Sequence, residues 1–151
     1  RSPMVRVLFV CLGNICRSPI GEGWLRHAAM VRGCRAKVDS AGTAGYHVGE
    51  GPDPRSVAAM RAVDIDISGQ RSRKFVRADF QKFDRILVMD QANLRDVLKL
   101  ARTEEEESKV ALFDLSGAEV PDPYYGGDGG FAAVREQVRQ AAEAWLDRDF
   151  N

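Results

Sequence analysis

A doubly wound α/β fold on a parallel sheet is what this sequence predicts, and three features predict it. Short runs that are almost wholly apolar recur along the 151-residue chain, as in strands covered on both faces. Stretches with helical spacing of apolar residues lie between those runs. The length supports one core and not two, and no repeat or linker divides the chain.

Met4 to Val10 is apolar and largely β-branched apart from Arg6, and reads as the first buried strand. The chain then turns through Cys11-Leu12-Gly13-Asn14-Ile15-Cys16-Arg17. A helix is expected from about Ser18 with Pro19 at its first position, where a missing N–H costs nothing; Ile20, Trp24, Leu25, Ala28 and Ala29 follow at helical spacing. Lys37 to Ala41 is a short second strand. Asp53-Pro54 is a cap followed by an N1 proline and opens a helix to about Ala62. Arg85 to Met89 reads as a third strand, Gln91 to Leu100 as a helix, Glu104 to Glu107 as a solvated loop, and Val110 to Phe113 as a fourth strand. A glycine-rich stretch from Gly126 to Gly130 leads into a last helix from about Phe131 to Arg148.

Composition narrows the function. Lys plus Arg (22) balance Asp plus Glu (22), so charge gives no argument for nucleic acid or an acidic membrane surface. No apolar run is long enough to span a bilayer and no signal peptide opens the chain. Three cysteines argue against a disulfide framework and for a reducing, cytoplasmic setting. Arg1-Ser2-Pro3 ahead of Met4 reads as an expression remnant, which leaves residues 4–151 as the domain. No metal-ligand cluster and no cofactor motif is visible.

The informative segment is Val10-Cys11-Leu12-Gly13-Asn14-Ile15-Cys16-Arg17-Ser18-Pro19. A cysteine and an arginine at this spacing mean little alone; about one unrelated chain in ten would contain such a pair. Here the pair lies between a buried strand and a helix start, at the carboxyl end of the sheet, where open α/β folds bind ligands. Successive N–H groups in such a turn form an anion nest, and the helix N-terminus adds partial positive charge. Gly13 and Asn14 are residue types that tolerate positive φ. A thiol at a helix N-terminus beside a guanidinium is drawn towards thiolate, the nucleophilic form. Arg17 offers two parallel donors to a phosphate, and the Ser18 hydroxyl can donate to the sulfur.

The same run resembles the active-site loop of low-molecular-weight protein tyrosine phosphatases. Asp122-Pro123-Tyr124-Tyr125-Gly126 is similar to that family's second block, and Asp39-Ser40-Ala41-Gly42-Thr43, Asp53-Pro54-Arg55 and Met89-Asp90 fall where it has similar runs. The resemblance implies a four-stranded parallel sheet in flavodoxin-like order with helices on both faces. It implies that Cys11 is the nucleophile, Arg17 the phosphate-binding arginine, Ser18 the thiolate-stabilising hydroxyl and Asp122 the general acid. Asn14 and Ser40 look like the pair that holds the loop's shape, with Leu12, Gly13, Asn14, Ile15 and Cys16 around the phosphate. Tyr124 and Tyr125 beside the acid can sandwich a phenyl ring, and Tyr46 supplies the opposite wall. His47 and Glu50 fall near the rim, with no chemistry assigned to His47; Gln70 stands where relatives often carry a histidine, so a buried network there is altered.

The reaction so implied is hydrolysis of protein phosphotyrosine and small aryl phosphates through a phosphocysteine, without cofactor or metal. The partner is a phosphotyrosine-containing protein, met by a monomer or weak dimer. Cys16 beside Cys11 resembles relatives that form a reversible disulfide under peroxide, so redox sensitivity is expected; Cys34 matches no motif. Three other functions compete. A protein arginine phosphatase on this scaffold suits a small polar residue where Ile15 stands. A thiol-linked arsenate reductase needs downstream redox cysteines, and none follows Cys34. A phosphotyrosine-binding module without catalysis would lack the nucleophile or the acid.

Overall fold

The computed structural model describes residues 4–127 and 129–149; Arg1-Ser2-Pro3 and the last two residues lie outside them. Four strands, β1 (Val5–Cys11), β2 (Ala36–Gly42), β3 (Arg85–Val88) and β4 (Val110–Leu112), form one sheet in the order β2-β1-β3-β4. Every pairing is parallel, with Cys11 opposite Gly42 and Val10 opposite Val88. Among the described residues, five helices connect the strands, α1 (Arg17–Arg32), α2 (Pro54–Arg61), α3 (Asp79–Lys82), α4 (Gln91–Leu98) and α5 (Glu104–Ser108), and α6 (Gly129–Asp149) follows β4.

The alternation of side chains along β1 explains its all-apolar sequence. Val7, Phe9 and Cys11 enter one core with Leu87, Met89, Phe113 and the inner faces of α1 and α6. Leu8 and Val10 enter a second core with Ile86, Val88, Phe75, Phe80 and Val97. Phe9 is fully buried edge to face with Phe113, ring centroids 4.8 Å apart. Truncating it would cost about 3–5 kcal/mol. A Cβ on Gly21 would lie 2.8 Å from that ring, so the glycine lets α1 seat directly on β1.

Three expected elements depart from the sequence reading, and α3 was not expected. The run Glu104 to Glu107 is helical, because Thr103 Oγ1 accepts from Glu106 N at 3.1 Å and acidic residues suit a helix N-terminus. Glu106 is buried and takes bonds from Arg77 and Gln81. Helix α1 begins at Arg17, so Pro19 is its third residue; the first turn's N–H groups have no intrahelical acceptor, and none is lost. The last helix starts at Gly129, ahead of Phe131. Elsewhere the expected cap holds: Asp53 accepts from Arg55 N, with Pro54 opening α2.

Candidate active site

Strand β1 is central, and Cys11 is its last residue, so the following turn lies at the carboxyl edge of the sheet. The turn closes on itself at Arg17, the first residue of α1, which places the thiol beneath the helix N-terminus. Cys11 Sγ is 3.0 Å from Ser18 Oγ and accepts from Ser18 N at 3.5 Å. Asn14 sits at φ 58°, the left-handed conformation anticipated for it. Gly42 on β2 backs the turn: a Cβ there would stand 2.8 Å from Leu12 O and 3.0 Å from Ala44 O.

The turn is held by a buried chain of side chains whose direction can be worked out. Glu22, on α1 and buried, accepts from Arg26 Nη2 on Oε2 at 2.6 Å and, paired with that guanidinium as a carboxylate, serves only as an acceptor. Ser40 Oγ therefore donates to Glu22 Oε1 at 2.7 Å and accepts from Asn14 Nδ2 at 2.9 Å. The same Asn14 amide donates to Ser18 Oγ at 2.8 Å, while its Oδ1 accepts from Arg73 N at 3.0 Å, which fixes the amide's orientation. Ser18 thus receives one proton from Asn14 and has its own to give to the Cys11 sulfur. Burial pushes the Glu22 carboxyl above its ordinary range, and the bonds from Ser40 and Arg26 draw it part of the way back. Gln70 has no place in this chain; its amide donates to Pro19 O at 3.1 Å.

Arg17 is buried and held on its far side, Nη1 donating to Asp90 Oδ2 at 2.7 Å and to Val120 O at 2.9 Å. Its Nη2 lies 3.8 Å from Asp122 Oδ2. One cavity of about 150 Å³ is lined by the thiol, Arg17 and Asp122 together with Leu12, Gly13, Ile15 and Cys16. Tyr46, His47, Tyr124 and Tyr125 form its walls. Ser18, Asn14 and Ser40 support the turn from beneath.

One detail of the walls differs from expectation. Tyr124 and Tyr125 pack edge to face with centroids 4.9 Å apart, which leaves no room for a third ring between them. That pair and Tyr46 line the same cavity. His47 lines the cavity, its Nδ1 3.1 Å from Glu50 Oε2.

Cys16 is buried beside Ile15 and Phe131. Burial, and then the negative charges of Asp53, Cys11 and Asp122, push its thiol up to about 12. Cys34 packs against the main core away from this site. All three cysteines are free. Among the described residues no group of three or more His, Cys, Asp or Glu could hold a metal ion, and no helix is long and apolar enough to cross a membrane.

Sequence reasoning missed Glu22, Arg73 and the anchoring role of Asp90. Met89-Asp90 stood out as a run, but nothing local says that Asp90 both caps α4 and braces Arg17. Glu22 carried one usable signal, a charge on the inner face of a helix whose neighbours are Ile20, Gly21 and Leu25.

The family model described as low molecular weight phosphotyrosine protein phosphatase matches residues 6–149. The low molecular weight phosphotyrosine protein phosphatase of Schizosaccharomyces pombe is 40% identical, the match covering 94% of this chain and 95% of that one. The Homo sapiens protein of the same name is 38% identical, covering 94% of each. Among solved structures, a protein tyrosine phosphatase from Entamoeba histolytica superposes with a TM-score of 0.90 at 34% identity, over 95% of this chain and 96% of that one. With the parallel sheet and the Cys11–Arg17 turn at its carboxyl edge, these matches leave one assignment: the chain belongs to the low molecular weight phosphotyrosine protein phosphatase family, and it is a hydrolase.

Proposed function

We propose that this domain hydrolyses phosphotyrosine in proteins, and small aryl phosphates, through a phosphocysteine intermediate. The observation that carries the reading is one cavity into which a thiol, a braced guanidinium and a carboxylate converge between aromatic walls. The turn from Leu12 to Cys16 and the Arg17 fork hold the phosphate. The Cys11 thiolate attacks phosphorus; the Sγ–P bond forms as the P–O bond to the phenol breaks. Asp122, in its acid form, gives its proton to the leaving oxygen. Its carboxylate then takes a proton from water as that water attacks phosphorus, and the Sγ–P bond breaks with the Ser18 hydroxyl donating to the departing thiolate. The tyrosine ring occupies the cavity that Tyr46 and Tyr124 line, which favours an aryl ester over a short alkyl one.

The test is a leaving-group comparison. Cys11→Ser should abolish turnover with the fold intact. Asp122→Ala should slow phosphotyrosine by about 10²–10⁴-fold. An activated aryl ester, whose leaving group hardly needs a proton, should slow far less. Equal losses on both substrates would remove Asp122 from the acid role. Rates on phosphoserine, phosphoarginine and arsenate measured alongside separate this activity from its relatives'.

The same thiol is the first target of peroxide. Oxidation gives a Cys11 sulfenic acid; condensation with the Cys16 thiol forms the Sγ–Sγ bond and releases water, and a dithiol reductant reverses it. That Cys16 lines the same cavity as Cys11 supports this reading. Three free thiols are in keeping with a reducing, cytoplasmic compartment.

A further inference from the structure

Among the described residues, the side chain that fastens the segment bearing Asp122 and Tyr124 to α2 is that of Arg55. Asp53 and Arg55 form a bidentate pair, Nε to Oδ1 at 3.0 Å and Nη2 to Oδ2 at 2.9 Å. Asp53 is itself locked, since it caps α2 and its N–H donates to Ile15 O of the phosphate turn at 2.8 Å. The remaining arm, Arg55 Nη1, donates to Tyr124 O at 3.1 Å. The guanidinium lies 5.2 Å from the centroid of the Tyr124 ring and 4.6 Å from that of Phe131. Two of the segment's own hydrogen bonds are local, Tyr124 N to Asp122 Oδ1 and Gly126 N to Pro123 O, and they shape it without attaching it to anything else.

We propose that Arg55 is a positioning residue for this reaction: it clamps the Asp122–Tyr124 segment to the phosphate turn, fixing how far Asp122 reaches and which way the Tyr124 ring faces. It lines no part of the catalytic cavity, so it acts through the residues it holds. The inference rests on the roles proposed above for Asp122 and Tyr124. Planarity matters, because one flat group must pair with a carboxylate, donate to a carbonyl and lie against aromatic rings at once. Lysine can retain the charge but not that combination.

The test compares Arg55→Lys and Arg55→Ala with wild type on three readouts. Inhibition by inorganic phosphate reports the turn itself and should change by no more than about threefold. The kcat/KM for phosphotyrosine should fall by about 30-fold in both variants, and that for an activated aryl ester by less than about fivefold. In an Asp122→Ala background, Arg55→Ala should leave kcat on phosphotyrosine nearly unchanged while KM still rises. If phosphate inhibition weakens in step with turnover, or if Arg55→Lys behaves as wild type, the clamp is refuted. Should Arg55→Ala fold poorly, Arg55→Lys carries the comparison alone, since it keeps the charge beside Asp53. A failure of the acid assignment would show separately, as equal losses for Asp122→Ala on the two substrates.

Discussion

Replacing Glu22, which is remote from the phosphate, should alter the chemistry through Ser18. Glu22→Leu removes the acceptor that forces Ser40 to donate away from Asn14. Inside the protein, a Ser40 hydroxyl without an acceptor costs about 1–3 kcal/mol. Arg26 is half exposed and keeps Val38 O, so its loss is near nothing. Removing a carboxyl that burial pushes upward returns part of the cost. The net expectation is about 1–2 kcal/mol, or a Tm lower by about 2–8 °C for a chain of this size. Asn14 keeps the orientation set by Arg73 N, but with Ser40 no longer anchored to Glu22 the amide loses a fixed support, so the Ser18 hydroxyl is held less tightly against the sulfur. A tenfold fall in kcat, equivalent to about 1.4 kcal/mol, is expected. Glu22→Gln still presents an oxygen to Ser40 and should stay within about threefold of wild type. The cycle with Ser18→Ala is decisive: once the hydroxyl is gone, Glu22→Leu should cost nothing further in kcat. The same loss in both backgrounds, or Gln as harmful as Leu, would refute the relay. The pH dependence has a definite sign. A carboxyl held above its ordinary value favours the folded state at low pH and loses that contribution as pH rises through the folded value. Urea unfolding should therefore show Glu22→Gln gaining on wild type from about pH 4 upward, then running parallel.

Other expectations concern the turn and its neighbours. Arg17→Lys should lower kcat/KM by about 100-fold or more, because one ammonium cannot replace the fork and also reach Asp90 and Val120 O; phosphate inhibition should weaken with it. Gly42→Ala puts a methyl 2.8 Å from a backbone oxygen that cannot swing aside, so a loss of about 1–3 kcal/mol in thermal unfolding and a weaker phosphate inhibition constant are expected. After peroxide, Cys16→Ser should recover far less activity with a dithiol than wild type does. Because the Cys16 thiol is pushed up to about 12, disulfide closure in wild type should quicken as pH rises across the neutral and alkaline range; a closure rate flat in pH would exclude Cys16 as the attacking sulfur.

Legibility in the sequence followed the distance between partners. Cys11 to Ser18 could be read because the whole turn is contiguous and its strand and helix flanks announce themselves. Asp122 and the tyrosines could be read because they form a compact block. Glu22, Asp90 and Arg73 could not: each matters through a partner 18 to 73 positions away, as in Ser40 with Glu22 and Arg17 with Asp90. The acidic run at Glu104–Glu107 misled for a related reason. Its charge suggested solvent; the Thr103 cap is local, three residues from Glu106, but the bonds that bury Glu106 come from Arg77 and Gln81, 29 and 25 positions away. The tyrosine pair lines the same cavity as Asp122, but its mutual packing depends on ring orientations that residue types do not encode.

The two halves of the site are held with unequal stiffness, and the chemistry gives a reason. In the proposed reaction the phosphate turn must offer the same geometry to substrate, intermediate and product, since phosphorus would stay there throughout. Its one strained residue, Asn14, is accordingly tied through its side chain to Ser18, Ser40 and Arg73, and Gly42 closes the space behind it. Bonds of that number offset the roughly 1 kcal/mol by which a left-handed residue is disfavoured. Asp122, the acid proposed for both steps, has the opposite requirement. It must meet a phenolic oxygen in one step and a water in the next, at positions that need not coincide, and it must let the phenol depart between them. A half-exposed Asp122 on a segment braced through Arg55 can make that small adjustment, where a carboxylate fixed within a sheet could not.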